Sequence, residues 1–102
     1  MHAPRPSLAV LAAILLAPIA AAQTLTVPPG LLVPGSEIDV QVDGGQPGGT
    51  AQVEILTLPG GKDLLSIPLD ASGHGSAKWR VPLCYWMEFK YGASRVWRWT
   101  DS

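Results

Sequence analysis

The sequence predicts an all-β, antiparallel sandwich of about seven strands, and three features predict it. Beyond residue 22, no window repeats with the helical period. Apolar and polar residues instead alternate in short runs, as they do where one face of a strand is buried and the other is wet. Gly and Pro clusters, drawn from 11 Gly and 10 Pro in 102 residues, break those runs roughly every 8 to 12 residues, which is the spacing of sandwich and barrel strands.

The first 22 residues follow a different logic. Met1 to Ser7 carries Arg5 and no acid, Leu8 to Ala17 is an unbroken apolar run, Pro18 ends it, and Ala20-Ala21-Ala22 supplies small residues for a peptidase cleft. This is the plan of a cleavable secretory signal peptide over residues 1–22, with cleavage expected before Gln23. The apolar run is about half the roughly 20 residues needed to span a bilayer. Gln23, and not Cys, stands after the expected cleavage point, which argues against a lipoprotein, and Arg5 is followed by Pro6 rather than a second Arg. Residues 23–102 are then one domain, too small for two, with a thin core. Cys84 is the only cysteine, so no disulfide within the chain can reinforce it.

Each strand can be justified in turn. Thr24 to Val27 is the first, ended by Pro28-Pro29-Gly30, with Leu31-Leu32-Val33 continuing it along the sheet edge. Ser36 to Val42 places Ile38, Val40 and Val42 on the core face and Glu37, Asp39 and Gln41 on the wet one. The loop from Asp43 to Gly49, with four glycines and a proline, holds no regular structure. In Thr50 to Leu58, Val53 and Ile55 face in while Gln52 and Glu54 face out. Pro59-Gly60-Gly61-Lys62 suits a type II turn with one positive φ at glycine. Leu65, Ile67 and Leu69 alternate on a strand that Pro68 assigns to an edge. After the turn from Asp70 to Gly75, Ala77, Trp79 and Val81 alternate inward until Pro82.

Two further strands are expected, Leu83 to Lys90 and Ser94 to Thr100. In the first, Leu83, Tyr85, Met87 and Phe89 face in, and Cys84, Trp86, Glu88 and Lys90 face out. In the second, Trp97 and Trp99 share a face with Arg95, and Val96 shares the other with Arg98, so neither face is cleanly apolar. Charge and aromaticity are also segregated. Between residues 23 and 77, Glu37, Asp39, Asp43, Glu54, Asp63 and Asp70 have only Lys62 against them. Lys78, Arg80, Lys90, Arg95 and Arg98 follow with only Glu88 and Asp101 opposing, and every aromatic lies at or beyond Trp79.

The run from Pro34 to Pro82 resembles the bacterial immunoglobulin-like and macroglobulin-type repeats of large exported proteins. The likeness lies in Pro34-Gly35-Ser36, in Pro47-Gly48-Gly49, and in Leu69-Asp70-Ala71-Ser72-Gly73 leading to Ala77-Lys78-Trp79-Arg80-Val81-Pro82. It implies an immunoglobulin-like sandwich in an extracytoplasmic setting, with Trp79 packed into the core, and it implies no activity. Antibody-type domains match less well, because the intersheet cysteine pair is missing.

Catalytic and metal-binding readings are weak. Asp70, Ser72 and His74 sit in one turn, whereas a catalytic triad converges from separate parts of a fold, so turn chemistry is expected of them. After residue 22, His74 and Cys84 alone do not make a zinc site. Calcium through Asp43 or Asp70 lacks a recognisable loop spacing, and no cofactor is implied. Cys84 is expected to be a buried small hydrophobe. The glycines from Gly44 to Gly49 do not have phosphate-loop spacing.

The remaining feature is the cluster of Trp86, Lys90, Arg95, Trp97, Arg98 and Trp99. Nucleic-acid stacking is set aside for an exported chain of formal net charge −1. Trp79, Trp97 and Phe89 could fill the core of so small a domain, beside Val53, Ile55, Ile38 and Val40. Trp86, Arg95, Trp97, Arg98 and Trp99 are the candidate binding residues, since exposed Trp and Arg are enriched at interfaces and flat tryptophans stack on sugars. The expectation is a secreted or periplasmic, non-enzymatic module with no membrane insertion after cleavage. It would bind an envelope or extracellular protein, or itself through its basic end and the acidic first part of another copy. A carbohydrate-binding module is the alternative, and a remnant of a longer repeat protein a third.

Overall fold

A computed structural model describes residues 22–101. The expected signal peptide and all but one residue of its cleavage motif lie outside them. The described residues contain no helix and form seven strands: β1 Thr24–Thr26, β2 Glu37–Asp43, β3 Thr50–Leu58, β4 Gly61–Pro68, β5 Gly75–Arg80, β6 Trp86–Tyr91 and β7 Ser94–Trp99. All pair antiparallel, in one sheet of order β1-β2-β5 and another of order β4-β3-β6-β7.

Alternation explains the packing of the two sheets. Ile38, Val40 and Val42 from β2 and Trp79 from β5 meet Ala51, Val53 and Ile55 from β3, Ile67 from β4, and Met87 and Phe89 from β6. The Trp79 and Phe89 rings meet edge to face at 5.5 Å and 82°, a favoured aromatic geometry. Trp79 is buried but keeps a polar handle, and its indole Nε1 donates to Asp63 Oδ2 at 3.0 Å. Asp63 lies opposite the buried Ile55 in register, so this carboxylate on an edge strand sits on the interior side of its sheet.

Pro68 closes β4, an edge strand as expected, because its ring has no N–H for a further ladder bond. The β3–β4 turn departs from the expected type II geometry. Its Leu58–Pro59 peptide is cis, and Gly60 and Gly61 both take positive φ, 135° and 141°, so two glycines are required there and not one.

Two expectations near the chain ends are corrected. Leu31 to Val33 does not extend β1 along its own sheet. Leu32 crosses to the larger sheet and forms a parallel bridge with Thr100, its N–H donating to Trp99 O at 3.0 Å and its carbonyl accepting from Asp101 N at 2.9 Å. Leu83 and Tyr85 are exposed, not inward, while Cys84 is buried. The alternation expected there starts only at Trp86, because after Pro82 the chain turns through an irregular segment. Within that segment Tyr85 N donates to Leu58 O and Tyr85 O accepts from Thr100 N.

Candidate docking face

The outer face of the larger sheet follows from strand register. Where β3, β6 and β7 run side by side, Leu58 pairs with Trp86 and Trp86 with Trp99. The next row is Lys62, Leu56, Glu88 and Trp97, and the next Leu64, Glu54, Lys90 and Arg95. Trp97 and Trp99 are 51% and 61% exposed, and Leu58 is 61% exposed. One end of this face is therefore apolar and aromatic. A cleft of about 180 Å³ lined by Pro59, Leu83, Cys84 and Tyr85 adjoins it.

Trp86, Arg95, Trp97 and Trp99 thus share one face, as the period of two requires. Arg98 does not join them. It points to the interior side, where its Nε donates to Pro28 O at 2.8 Å, Nη2 to Val27 O at 3.0 Å and Nη1 to Trp97 O at 2.7 Å. A guanidinium offers five donors in a rigid fork. Here it pins the segment that carries the chain from the smaller sheet to the larger, which explains an arginine on a half-buried strand face. Trp97 does not fill the core. Leu56, Leu58 and Leu64 belong to the face although the aromatic and basic clustering did not point to them. The alternation that buries Val53 and Ile55 also turns them outward.

Folding offsets part of the charge segregation along the sequence. Lys78 Nζ pairs with Asp39 at 2.9 Å, Arg80 with Glu37 at 3.7 Å and Lys62 with Glu54 at 3.4 Å. These pairs engage Glu37, Asp39 and Glu54, three of the six acids of the first part, within their own chain, while Asp43, Asp63 and Asp70 make no ion pair among the described residues. Arg95 lies 3.9 Å from Glu88, and Lys90 makes no ion pair among the described residues.

The β7 edge is partly occupied as well. Trp99 O is bonded by Leu32 and Trp97 O by Arg98. Alternate residues of a strand turn their backbone groups to the same side, so only the groups of Arg95 and the N–H groups of Trp97 and Trp99 remain for an added strand.

No family model, curated protein or solved structure matches the chain. What the other candidate residues can do is read from their own geometry. Asp70 Oδ1 accepts from Ser72 N at 2.9 Å, Ser72 Oγ at 2.7 Å and His74 N at 3.0 Å. His74 thus contributes its backbone and not its imidazole, and the group is a turn. The His74 amide, then the Ser72 hydroxyl and amide, hold the Asp70 carboxyl below its ordinary value of 3.8. Burial pushes the Cys84 thiol up, against a smaller opposing pull from the Trp86 backbone, so little of it is thiolate at neutral pH. Among the described residues, no three of His, Cys, Asp and Glu gather as metal ligands.

Proposed function

We propose that this chain is an exported, non-enzymatic module of immunoglobulin-like type that docks onto protein through the outer face of its four-stranded sheet. The observation that carries this reading is the row Leu58, Trp86 and Trp99, with Trp97 and Leu56 beside it. Large apolar and aromatic side chains side by side in water, rimmed by Glu54, Lys62, Lys90 and Arg95, have the composition of a protein interface.

The immunoglobulin-like assignment is supported by β1-β2-β5 facing β4-β3-β6-β7, the sandwich with its fourth strand added to the larger sheet. The first strand's continuation, crossing to the last strand at Leu32, fits the same plan. The core tryptophan lies on β5 and the antibody cysteine pair is missing, so the likeness is one of architecture. An envelope or extracellular setting follows from residues 1–22. Mass spectrometry of the exported protein is expected to find Gln23 at its N-terminus, and an intact Met1 on a cytoplasmic species would reverse that localisation.

A carbohydrate reading has one observation in its favour, two exposed indoles at alternate positions of β7. Glu88 and Arg95 beside Trp97 could reach sugar hydroxyls, but the patch continues past them as Trp86, Leu58, Leu56 and Leu64, a broad apolar surface more typical of a protein interface, so protein docking leads. Immobilised wild type and a Trp97→Ser, Trp99→Ser variant, compared for capture from envelope extract and for fluorescence change with cell-wall glycans, test the choice. Capture lost in the variant supports docking. A glycan response with unchanged capture replaces it with the sugar reading.

A further inference from the structure

We infer, building on the docking face proposed above, that its occupant is a second copy of this chain, the two larger sheets meeting face to face about a twofold axis. Area is the first reason. The fractional exposures of Leu56, Leu58, Leu64, Trp97 and Trp99, which register places on this face, correspond to roughly 550 Å² of accessible surface before the charged rim is added, against the about 800 Å² that each partner buries in a standard stable interface.

Shape is the second. An isologous contact needs a surface that fits itself, so that a projection on one copy enters a recess on the other and the reverse. Leu58 projects, 61% exposed, and beside it opens the cleft of about 180 Å³ walled by Pro59, Leu83, Cys84 and Tyr85. An apolar cavity of about 150 Å³ accepts a benzene ring, so this recess is large enough for a leucine side chain. Leu58, the projection, directly precedes Pro59, which forms one wall of the recess.

Charge is the third. The face carries Glu54 and Glu88 against Lys62, Lys90 and Arg95, a near balance that gives two identical faces little repulsion and gives a highly charged partner little attraction. The contact is therefore apolar in origin and insensitive to salt.

Sedimentation of the purified protein over a range of concentrations tests this, with circular dichroism reporting the fold of each variant. The wild type is expected to show a reversible monomer–dimer equilibrium, unchanged between about 0.05 and 0.5 M salt. Leu58→Glu, and separately Trp97→Ser, are expected to weaken it at least tenfold. Lys78→Glu, on the outer face of the other sheet, is expected to leave it unaltered. A dimer that persists in both face variants, or one dispersed by salt, overturns the inference. So does a wild type that is monomeric throughout. In that last case, capture of an envelope protein by the wild type but not by the face variants leaves the docking reading standing with a different partner, while equal capture removes both.

Discussion

Trp79 on β5 and Asp63 on β4 join the two sheets by a hydrogen bond of 3.0 Å from indole Nε1 to carboxylate Oδ2. The ring buries its area against Phe89, and the bond satisfies the one polar atom that burial would strand. Trp79→Ala is expected to cost about 3 to 5 kcal/mol, as for other buried aromatics, and Asp63→Ala about 1 kcal/mol. Urea unfolding measures both. A loss below about 1 kcal/mol for Trp79→Ala would contradict its place in the core.

Arg98 should matter for stability rather than for binding. Arg98→Met removes the donors that hold Val27 O, Pro28 O and Trp97 O, and a loss of about 1.5 to 3 kcal/mol is expected for bonds from a charged donor. Arg95→Met, on the open face, is expected to change stability by less than about 0.5 kcal/mol. Equal effects of the two would show that Arg98 does not clip the N-terminal segment.

Acid should reveal the Asp70 turn. The folded-state carboxyl lies below 3.8 because the turn donates hydrogen bonds to its charged form. Its stabilisation is therefore complete above the unfolded value and disappears as pH falls through the folded one. The stability gap between wild type and Asp70→Ala is expected to be constant near neutrality and to narrow below about pH 4. A gap that widens in acid would reverse the assignment.

Cys84 should be slow to react while the protein is folded. Burial removes both access and thiolate. Ellman's reagent is expected to label it slowly in buffer and quickly in urea, and equal rates would place the thiol at the surface.

The strands from β2 to β5 were legible because one periodicity served them all. Ile38, Val40, Val53, Ile55 and Trp79 alternate with polar neighbours in sequence and lie in the core of the structure. Leu83 and Tyr85 break the alternation because they lie before β6, in the turn after Pro82, where no ladder enforces a period of two. Arg98 was legible as an oddity only. Its partners are the carbonyls of Val27 and Pro28, about 70 residues away in sequence, and backbone carbonyls leave no side-chain signature. Charge segregation is partly offset for a related reason, since antiparallel pairing of β2 with β5 sets Glu37 and Asp39 against Arg80 and Lys78.

Asp63 on β4 and Arg98 on β7 place an ionic group on the interior side of each outermost strand of the larger sheet. Inward-pointing charged groups on outer strands are one of the devices by which sheet edges resist pairing with another chain. Growth by adding molecule after molecule along the hydrogen-bonding direction is disfavoured on that account. The closed pair proposed above uses the sheet face and not these edges, so it does not seed a filament. Replacing both ionic groups by apolar ones should remove that brake on fibril formation.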